Sequence, residues 1–130
     1  MSRVAILGCT GSIGSTTFNV IEGLRRQDGD EAWGVAVLTA GSRVDELIGL
    51  AQRWRPHLVC VADEGGADSV RRELGDGIRV VHGASGLCSA VTETDIDIVV
   101  NGLVGAIGLP PTLAALNRGL PVAMANKEPL

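Results

Sequence analysis

The sequence predicts an α/β fold: a Rossmann-like, doubly wound and mostly parallel sheet of six strands with helices on both faces. Three observations support this prediction. Apolar runs alternate with helical patterns along all 130 residues. The apolar runs are continuous, as is typical of parallel strands buried on both faces. The 18 glycines are about twice the average usage of about 7%, which indicates many tight turns between buried elements.

The first half of the chain contains three predicted strands and two predicted helices. Continuous apolar runs place the strands at 4–8, 34–40 and 57–62. The first helix begins near Ser12 and ends before the loop residues 27–30, because Asp and Gly there favour a turn. Its apolar face is predicted to consist of Ile13, Thr17, Val20, Ile21 and Leu24. The second helix covers 43–53 and ends before Pro56, which disfavours helical backbone at the residue that precedes it.

The second half continues the alternation. Strands are predicted at 78–81, 96–101 and 120–125, and Pro121 is acceptable at the start of the last one. A charged helix over 67–74 is expected to be exposed, and a further helix covers about 85–91. The helix over 109–116 carries prolines in its first turn, where a missing N–H is tolerated. No linker or composition change divides the chain, so residues 1–130 are expected to form one domain.

Composition excludes several classes of protein. The net charge is −4, without a run of Lys or Arg, and aromatic residues make up 2%. Nucleic acid and anionic membrane surfaces are therefore not expected as partners. We recognise no signal peptide and no apolar run of 18 residues. Cys9, Cys60 and Cys88 lie far apart in apolar stretches, which predicts buried thiols in a reducing, cytoplasmic setting.

A glycine-rich loop joins the first strand to the first helix and predicts phosphate binding. Gly8 lets the chain leave the strand in a conformation that other residues avoid. Gly11 allows close approach of a pyrophosphate, and Gly14 allows the helix to pack tightly on the strand. The backbone N–H groups of Thr10, Gly11, Ser12 and Ile13 would then point at the phosphates, assisted by the helix dipole. The alternative is a tight turn without a ligand.

The end of the second strand predicts which dinucleotide is bound. NAD sites usually carry Asp or Glu at this point, to bind the ribose hydroxyls. Here the residues are Gly41, Ser42 and Arg43. Arg43 can offer a forked guanidinium to a 2′-phosphate and Ser42 a hydroxyl, while Gly41 lets the ribose lie close, so NADPH is predicted over NADH. The alternative is that Arg43 is a solvated residue in the first turn of a helix.

Several segments, in the same order along the whole chain, resemble the 1-deoxy-D-xylulose 5-phosphate reductoisomerase family. They are the glycine loop at 6–14, Ala40-Gly41-Ser42, the segments at 61–64, 98–109 and 111–115, and Ala125-Asn126-Lys127-Glu128. Two departures are visible: Pro129 stands where the family usually has Ser, and Ser42-Arg43 stand where it often has Lys or Ser and then Asn.

The resemblance implies a function. Members of this family rearrange 1-deoxy-D-xylulose 5-phosphate and reduce the product to 2-C-methyl-D-erythritol 4-phosphate with NADPH, in non-mevalonate isoprenoid synthesis. They require Mg²⁺, Mn²⁺ or Co²⁺ and are homodimers. The loop residues Thr10–Ile13 would contact the cofactor phosphates, and residues 41–43 the adenosine end. Asn126 and Glu128 would also contact NADPH, and Lys127 would reach the substrate.

The resemblance also implies what these 130 residues lack. The family's metal ligands, an Asp-x-Glu segment and a further Glu, lie later in its sequence, and Asp95 and Asp97 do not match them. These two aspartates are instead expected in a turn before a strand. We therefore assign no catalytic residue and no metal ligand to this chain, and expect it to bind NADPH without turnover.

Two other functions remain open. The chain could be a standalone nucleotide-binding module with a regulatory role. It could also belong to another dehydrogenase class of the same fold, such as the semialdehyde dehydrogenases, whose loop also carries Thr-Gly. The Asn126-Lys127-Glu128 segment and the lack of a cysteine in a matching context argue against the second alternative. The segment at 104–108 could approach the cofactor or simply turn into the next helix.

Overall fold

Six strands form one parallel sheet in the computed structural model, which describes residues 1–124. The strands are β1 (Ser2–Leu7), β2 (Trp33–Thr39), β3 (Leu58–Val61), β4 (Arg79–His82), β5 (Ile98–Asn101) and β6 (Val122–Met124). Their spatial order is β4-β3-β2-β1-β5-β6, and every pair is parallel. The predicted doubly wound α/β fold is confirmed, with a fully rather than mostly parallel sheet.

Five α-helices connect the strands. They are α1 (Ser12–Asp28), α2 (Val44–Trp54), α3 (Glu64–Leu74), α4 (Gly83–Thr92) and α5 (Leu109–Asn117). The predicted elements are all present, and their bounds differ by a few residues. The first helix runs through Asp28 because the chain reverses at Gly29, which has φ +103°.

The prediction that the third helix is exposed was wrong. This helix begins three residues earlier than expected, at Glu64, because the Asp63 side chain caps it. Its charged residues lie on one face, and the opposite face buries Ala67, Val70 and Leu74. The helix is amphipathic, and that buried stripe stabilises its packing on the sheet.

Two separate apolar layers lie on the two faces of the sheet. One contains α1, α2 and α3, with residues such as Phe18, Leu47 and Val70. The other contains α4 and α5, with residues such as Leu87 and Ala115. Successive residues of β1 alternate between the layers, which explains why the strand reads as a continuous apolar run.

The two halves of the sheet are unequal. The chain moves outward from β1 to β4 with α1, α2 and α3 on one face. It then crosses back through α4 to β5, beside β1, and continues to β6. The first half therefore has four strands and the second has two. The direction of winding reverses between β1 and β5, which is where ligands bind in open α/β sheets.

Apolar side chains are exposed near α5. Leu109, Leu113 and Leu116 are each more than half exposed, and so is Met124 on the edge strand β6.

Among the residues that the structure describes, no helix is long and apolar enough to cross a membrane.

Candidate functional site

The glycine loop lies at the reversal point and is shaped by backbone contacts. Gly8 has φ +75°, a conformation that side chains disfavour. A Cβ on Gly8 would lie 3.1 Å from the carbonyl carbon of Gly102, in the loop that follows β5. The Gly102 N–H also donates to the Leu7 carbonyl at 2.8 Å. The two central loops are therefore in direct backbone contact.

Gly14 brings α1 close to the end of β1. A Cβ at this position would lie 2.0 Å from the carbonyl oxygen of Cys9, a backbone atom that cannot move aside. Gly14 is therefore required for packing, as its position in the loop predicts. This contact holds the first turn of α1 against the loop that follows β1.

The start of α1 is suited to an anion. Gly11 is the capping residue and has no side chain to bond the first amides, and the first turn contains no acidic residue. The first intrahelical bond is donated by Ser15 N–H to the Gly11 carbonyl at 3.1 Å. A Cβ on Gly11 would meet nothing within 4 Å, so the space beside this capping residue is open. Amides of this kind, together with the helix dipole, attract phosphate.

Thr39 positions the glycine loop from the neighbouring strand. Its buried hydroxyl accepts a hydrogen bond from the Gly8 N–H at 2.9 Å, and its carbonyl accepts one from the Cys9 N–H at 2.8 Å. Sequence reasoning missed this residue, because a threonine at the end of an apolar strand gives no local indication of such a contact.

Asn101 performs a similar task at the end of β5. Its fully buried amide donates to the Gly108 carbonyl at 3.1 Å and to the Thr112 hydroxyl at 2.5 Å. Its side-chain oxygen accepts from the Leu103 N–H at 2.9 Å. The bonds hold the segment between β5 and α5 in a fixed shape, including a short 3₁₀ turn at Ala106–Gly108. The sequence offered one indication of this role, because Asn101 is a polar residue at the end of an otherwise apolar strand.

The turn after β2 forms the second part of the site. Gly41, Ser42 and Arg43 are all exposed. Arg43 is the residue that precedes α2, rather than part of its first turn, and its guanidinium lies 3.7 Å from the Glu46 carboxylate. An apolar slot of about 140 Å³ opens beside this turn. It is lined by residues at the ends of β2 and β3, by Gly83 and Leu87 of α4, and by Leu103 and Ile107.

A second groove runs between α1 and α2, next to the glycine loop. Its volume is about 440 Å³, and it contains Thr10 and Gly11 at one end and Glu46 and Arg53 on the α2 side. From the sequence, acidic residues near the dinucleotide were sought only at the end of β2, and Glu46 was therefore missed as a residue of this groove. This residue reaches the groove because helix periodicity directs its side chain from α2 towards α1.

The thiols near the site are protonated at neutral pH. Burial, with a smaller contribution from the nearby Glu46 carboxylate, raises the pKa of Cys9 to about 12. Burial raises the pKa of Cys60 to about 11. Both residues therefore act as small apolar groups, as predicted, whereas Cys88 is only partly buried.

Asp95 and Asp97 lie away from these loops. The side chain of Asp97 accepts a hydrogen bond from the Arg3 N–H at 2.7 Å, and Asp95 lies 3.1 Å from the Arg3 guanidinium. Both occupy the turn before β5, as predicted. This turn lies at the amino-terminal ends of the strands, whereas the glycine loop lies at their carboxyl ends. Within residues 1–124 the structure contains no group of three or more side chains placed to hold a metal ion.

The predicted cofactor-binding residues fall into two groups. Gly8, Thr10 and Gly11 lie in the loop after β1, and Ser12, Ile13 and Gly14 in the first turn of α1. Gly41, Ser42 and Arg43 form the turn after the adjacent strand. The structure thus brings both groups to the same edge of the sheet. Asn126, Lys127 and Glu128 lie outside the described residues, so their predicted contacts stay predictions.

Comparison with known proteins identifies related sequences. A family model described as 1-deoxy-D-xylulose 5-phosphate reductoisomerase matches residues 4–130. The chain is 40% identical to the reductoisomerase of Geotalea uraniireducens over 131 residues, covering 100% of this chain and 33% of that protein. It is 44% identical to that of Rhizobium etli, covering 97% and 31% respectively. The chain spans about a third of the length of these curated relatives.

Solved structures show the same similarity. The reductoisomerase from Zymomonas mobilis in complex with NADPH aligns with a TM-score of 0.84 and 32% identity, over 97% of this chain and 32% of that one. A reductoisomerase in complex with NADPH, fosmidomycin and magnesium aligns with a TM-score of 0.84 and 34% identity, over 98% and 31%. The resemblance seen in the sequence is confirmed.

Proposed function

Because this chain belongs to the 1-deoxy-D-xylulose 5-phosphate reductoisomerase family, we propose that it is the NADPH-binding portion of such an enzyme. The observation that carries this proposal is the start of α1. Its capping residue is a glycine with open space in front of it, at the point where the sheet reverses its winding. An anion is the ligand that such a helix start favours.

Each part of the dinucleotide has a matching surface. The amides of Thr10–Ile13 would bind the pyrophosphate, with Gly8 and Gly14 giving the loop its shape. Gly41, Ser42 and Arg43 would bind the adenosine end, and the apolar slot beside them suits the adenine ring. Asn126 and Glu128 are proposed as further NADPH contacts, and Lys127 as a substrate contact. The NADPH held by the Zymomonas mobilis relative supports this assignment.

The whole protein would perform the family reaction. Bound NADPH supplies a hydride, and the residues of this chain would hold and orient it over the end of the sheet. The proposed reaction converts 1-deoxy-D-xylulose 5-phosphate to 2-C-methyl-D-erythritol 4-phosphate with a divalent metal ion. The magnesium and fosmidomycin of a related structure support a metal and a small-molecule substrate. We also propose a cytoplasmic homodimer, without nucleic-acid or membrane partners.

Residues 1–130 by themselves are proposed to bind NADPH without catalysis. Within the described residues no cluster of side chains is placed to bind a metal ion that could polarise a substrate carbonyl. A coupled assay of this chain with 1-deoxy-D-xylulose 5-phosphate should show no NADPH oxidation above background. Substrate-dependent oxidation would overturn this part of the proposal.

Titration with NADPH and NADH tests the main proposal. Nicotinamide fluorescence or calorimetry should give saturable binding at one site, with NADPH bound more tightly than NADH. A Ser42→Ala, Arg43→Ala variant should lose most of that difference, because both candidate 2′-phosphate contacts are removed. Absence of binding by either dinucleotide would contradict the proposed function.

A further inference from the structure

The groove between α1 and α2 places a carboxylate beside the proposed phosphate loop. Glu46 lies in the first turn of α2 and lines this groove together with Thr10 and Gly11. The groove is thus continuous with the loop proposed to hold the pyrophosphate. The ribose attached to that pyrophosphate would lie near the start of α2, where Ser42 and Arg43 precede the helix.

The charged side chains in this groove differ in how closely they are paired with an opposite charge. Arg53, the cation on the α2 side, forms a salt bridge with Glu22, and its guanidinium lies 5.3 Å from the Trp54 ring centre. Its charge is therefore already matched. Glu46 pairs with Arg43 at 3.7 Å, a loose distance, and both side chains are more than half exposed. Glu46 and Arg43 are therefore free to respond to a bound ligand.

We propose that Glu46 weakens the preference of this protein for NADPH over NADH. The inference rests on the proposed function and extends it to a residue outside the predicted site. In effect, α2 supplies the acidic group that NAD-binding proteins usually carry at the end of β2.

Two physical effects act in the same direction. A 2′-phosphate beside Glu46 is repelled by a like charge, and it must also compete with that carboxylate for the Arg43 guanidinium. A ribose 2′-hydroxyl, in contrast, can donate a hydrogen bond to the carboxylate. Because the groove is open to solvent, the interaction is screened, and we expect a change of about three- to tenfold in affinity.

The test compares two variants that each remove one negative charge from the first turn of α2. Glu46→Gln removes the charge in the groove. Asp45→Asn is the matched control, because Asp45 is exposed, lies in the same turn and does not line the groove. Dissociation constants for NADPH and NADH are measured for each variant by nicotinamide fluorescence at low and high salt.

Glu46→Gln should bind NADPH about three- to tenfold more tightly, with NADH binding unchanged or weaker. Glu46→Lys should shift the ratio further in the same direction. The gain should shrink at high salt, and Asp45→Asn should change the NADPH to NADH ratio by less than about twofold.

Two results would overturn the inference. One is an unchanged ratio in both Glu46 variants, and the other is an equal change in Asp45→Asn. Either result, obtained with a protein that still binds NADPH, refutes only the role of Glu46 and leaves the proposed function standing. Failure of the unaltered chain to bind any dinucleotide would instead refute the proposed function. Circular dichroism spectra of all variants verify that they remain folded.

Discussion

Two strand-to-helix junctions, both at the carboxyl ends of parallel strands, differ in how the start of the helix is capped. At the β1–α1 junction the capping residue is Gly11, and the space beside it is open. At the β3–α3 junction the capping residue is Asp63, whose carboxylate accepts a hydrogen bond from the Gly66 N–H at 2.8 Å. The start of α3 has a side-chain cap for its first amides, and the start of α1 has none.

The junctions also differ in how tightly their helices pack. Gly14 and Gly66 both occupy the third position of their helix. A Cβ on Gly14 would lie 2.0 Å from a backbone oxygen, whereas one on Gly66 would lie 3.2 Å from a methyl group of Val44. The first junction is therefore close-packed but open to a ligand, and the second is capped but more tolerant. The predictions below test this contrast.

The largest effect is expected from Gly14→Ala. The added methyl collides with the Cys9 carbonyl, so α1 must shift, at a cost of about 3 kcal/mol in the free energy of unfolding. Urea denaturation measures this change. The matched variant Gly66→Ala should stay within about 1 kcal/mol of the unaltered protein, because a methyl group can move and alanine favours the helix. Equal costs at the two positions would contradict the contrast.

Gly11→Asp should convert the first junction into a copy of the second. The backbone of Gly11, with φ −90° and ψ −173°, is open to any residue, so the new carboxylate can cap α1 and stability should not fall. NADPH affinity should fall about 100-fold, because charged hydrogen bonds to the pyrophosphate are lost.

Gly11→Asn is the control for charge in this experiment. It supplies a neutral cap of similar shape, so NADPH binding should weaken less than in Gly11→Asp. Calorimetric titration gives both affinities. Retention of full NADPH affinity in Gly11→Asp would place the pyrophosphate elsewhere.

Thr39→Val tests whether the open junction depends on its neighbour β2. The substitution leaves the Gly8 N–H without its acceptor, and we expect a loss of about 1.5 kcal/mol in stability together with weaker NADPH binding. Thr39→Ser keeps the hydroxyl and should restore binding. Thermal unfolding followed by circular dichroism, with a titration of each variant, separates the two effects. Equal behaviour of the valine and serine variants would show that the hydrogen bond is unimportant.

Asp63→Ala should produce the smallest effect and only on stability. Loss of the cap on α3 costs about 1 kcal/mol in the free energy of unfolding. The dissociation constant for NADPH should change less than about twofold, since Asp63 belongs to the capped junction. Chemical denaturation and fluorescence titration measure the two quantities. A large change in NADPH affinity would mean that the β3–α3 junction also contacts the dinucleotide.

Much of the fold and part of the site could be predicted from local patterns. Apolar runs identified every strand, and the glycine loop was recognised from the spacing of Gly8, Gly11 and Gly14. The earlier start of α3 could also have been predicted, because Asp63 stands directly before it and aspartate is a preferred cap. Residues that act through distant partners, such as Thr39 and Asn101, could not be recognised in this way.

By itself, the sequence determined the alternation of strands and helices and the glycine spacing that shapes the first turn of α1, because both depend on residues within a few positions of each other. Tertiary structure decided the division into four and two strands, since strand order depends on pairing between distant segments. It also decided that Glu46 lies beside the glycine loop. The physical reason is that α1 and α2 pack on the same face of the sheet, which brings residues far apart in the chain to one groove.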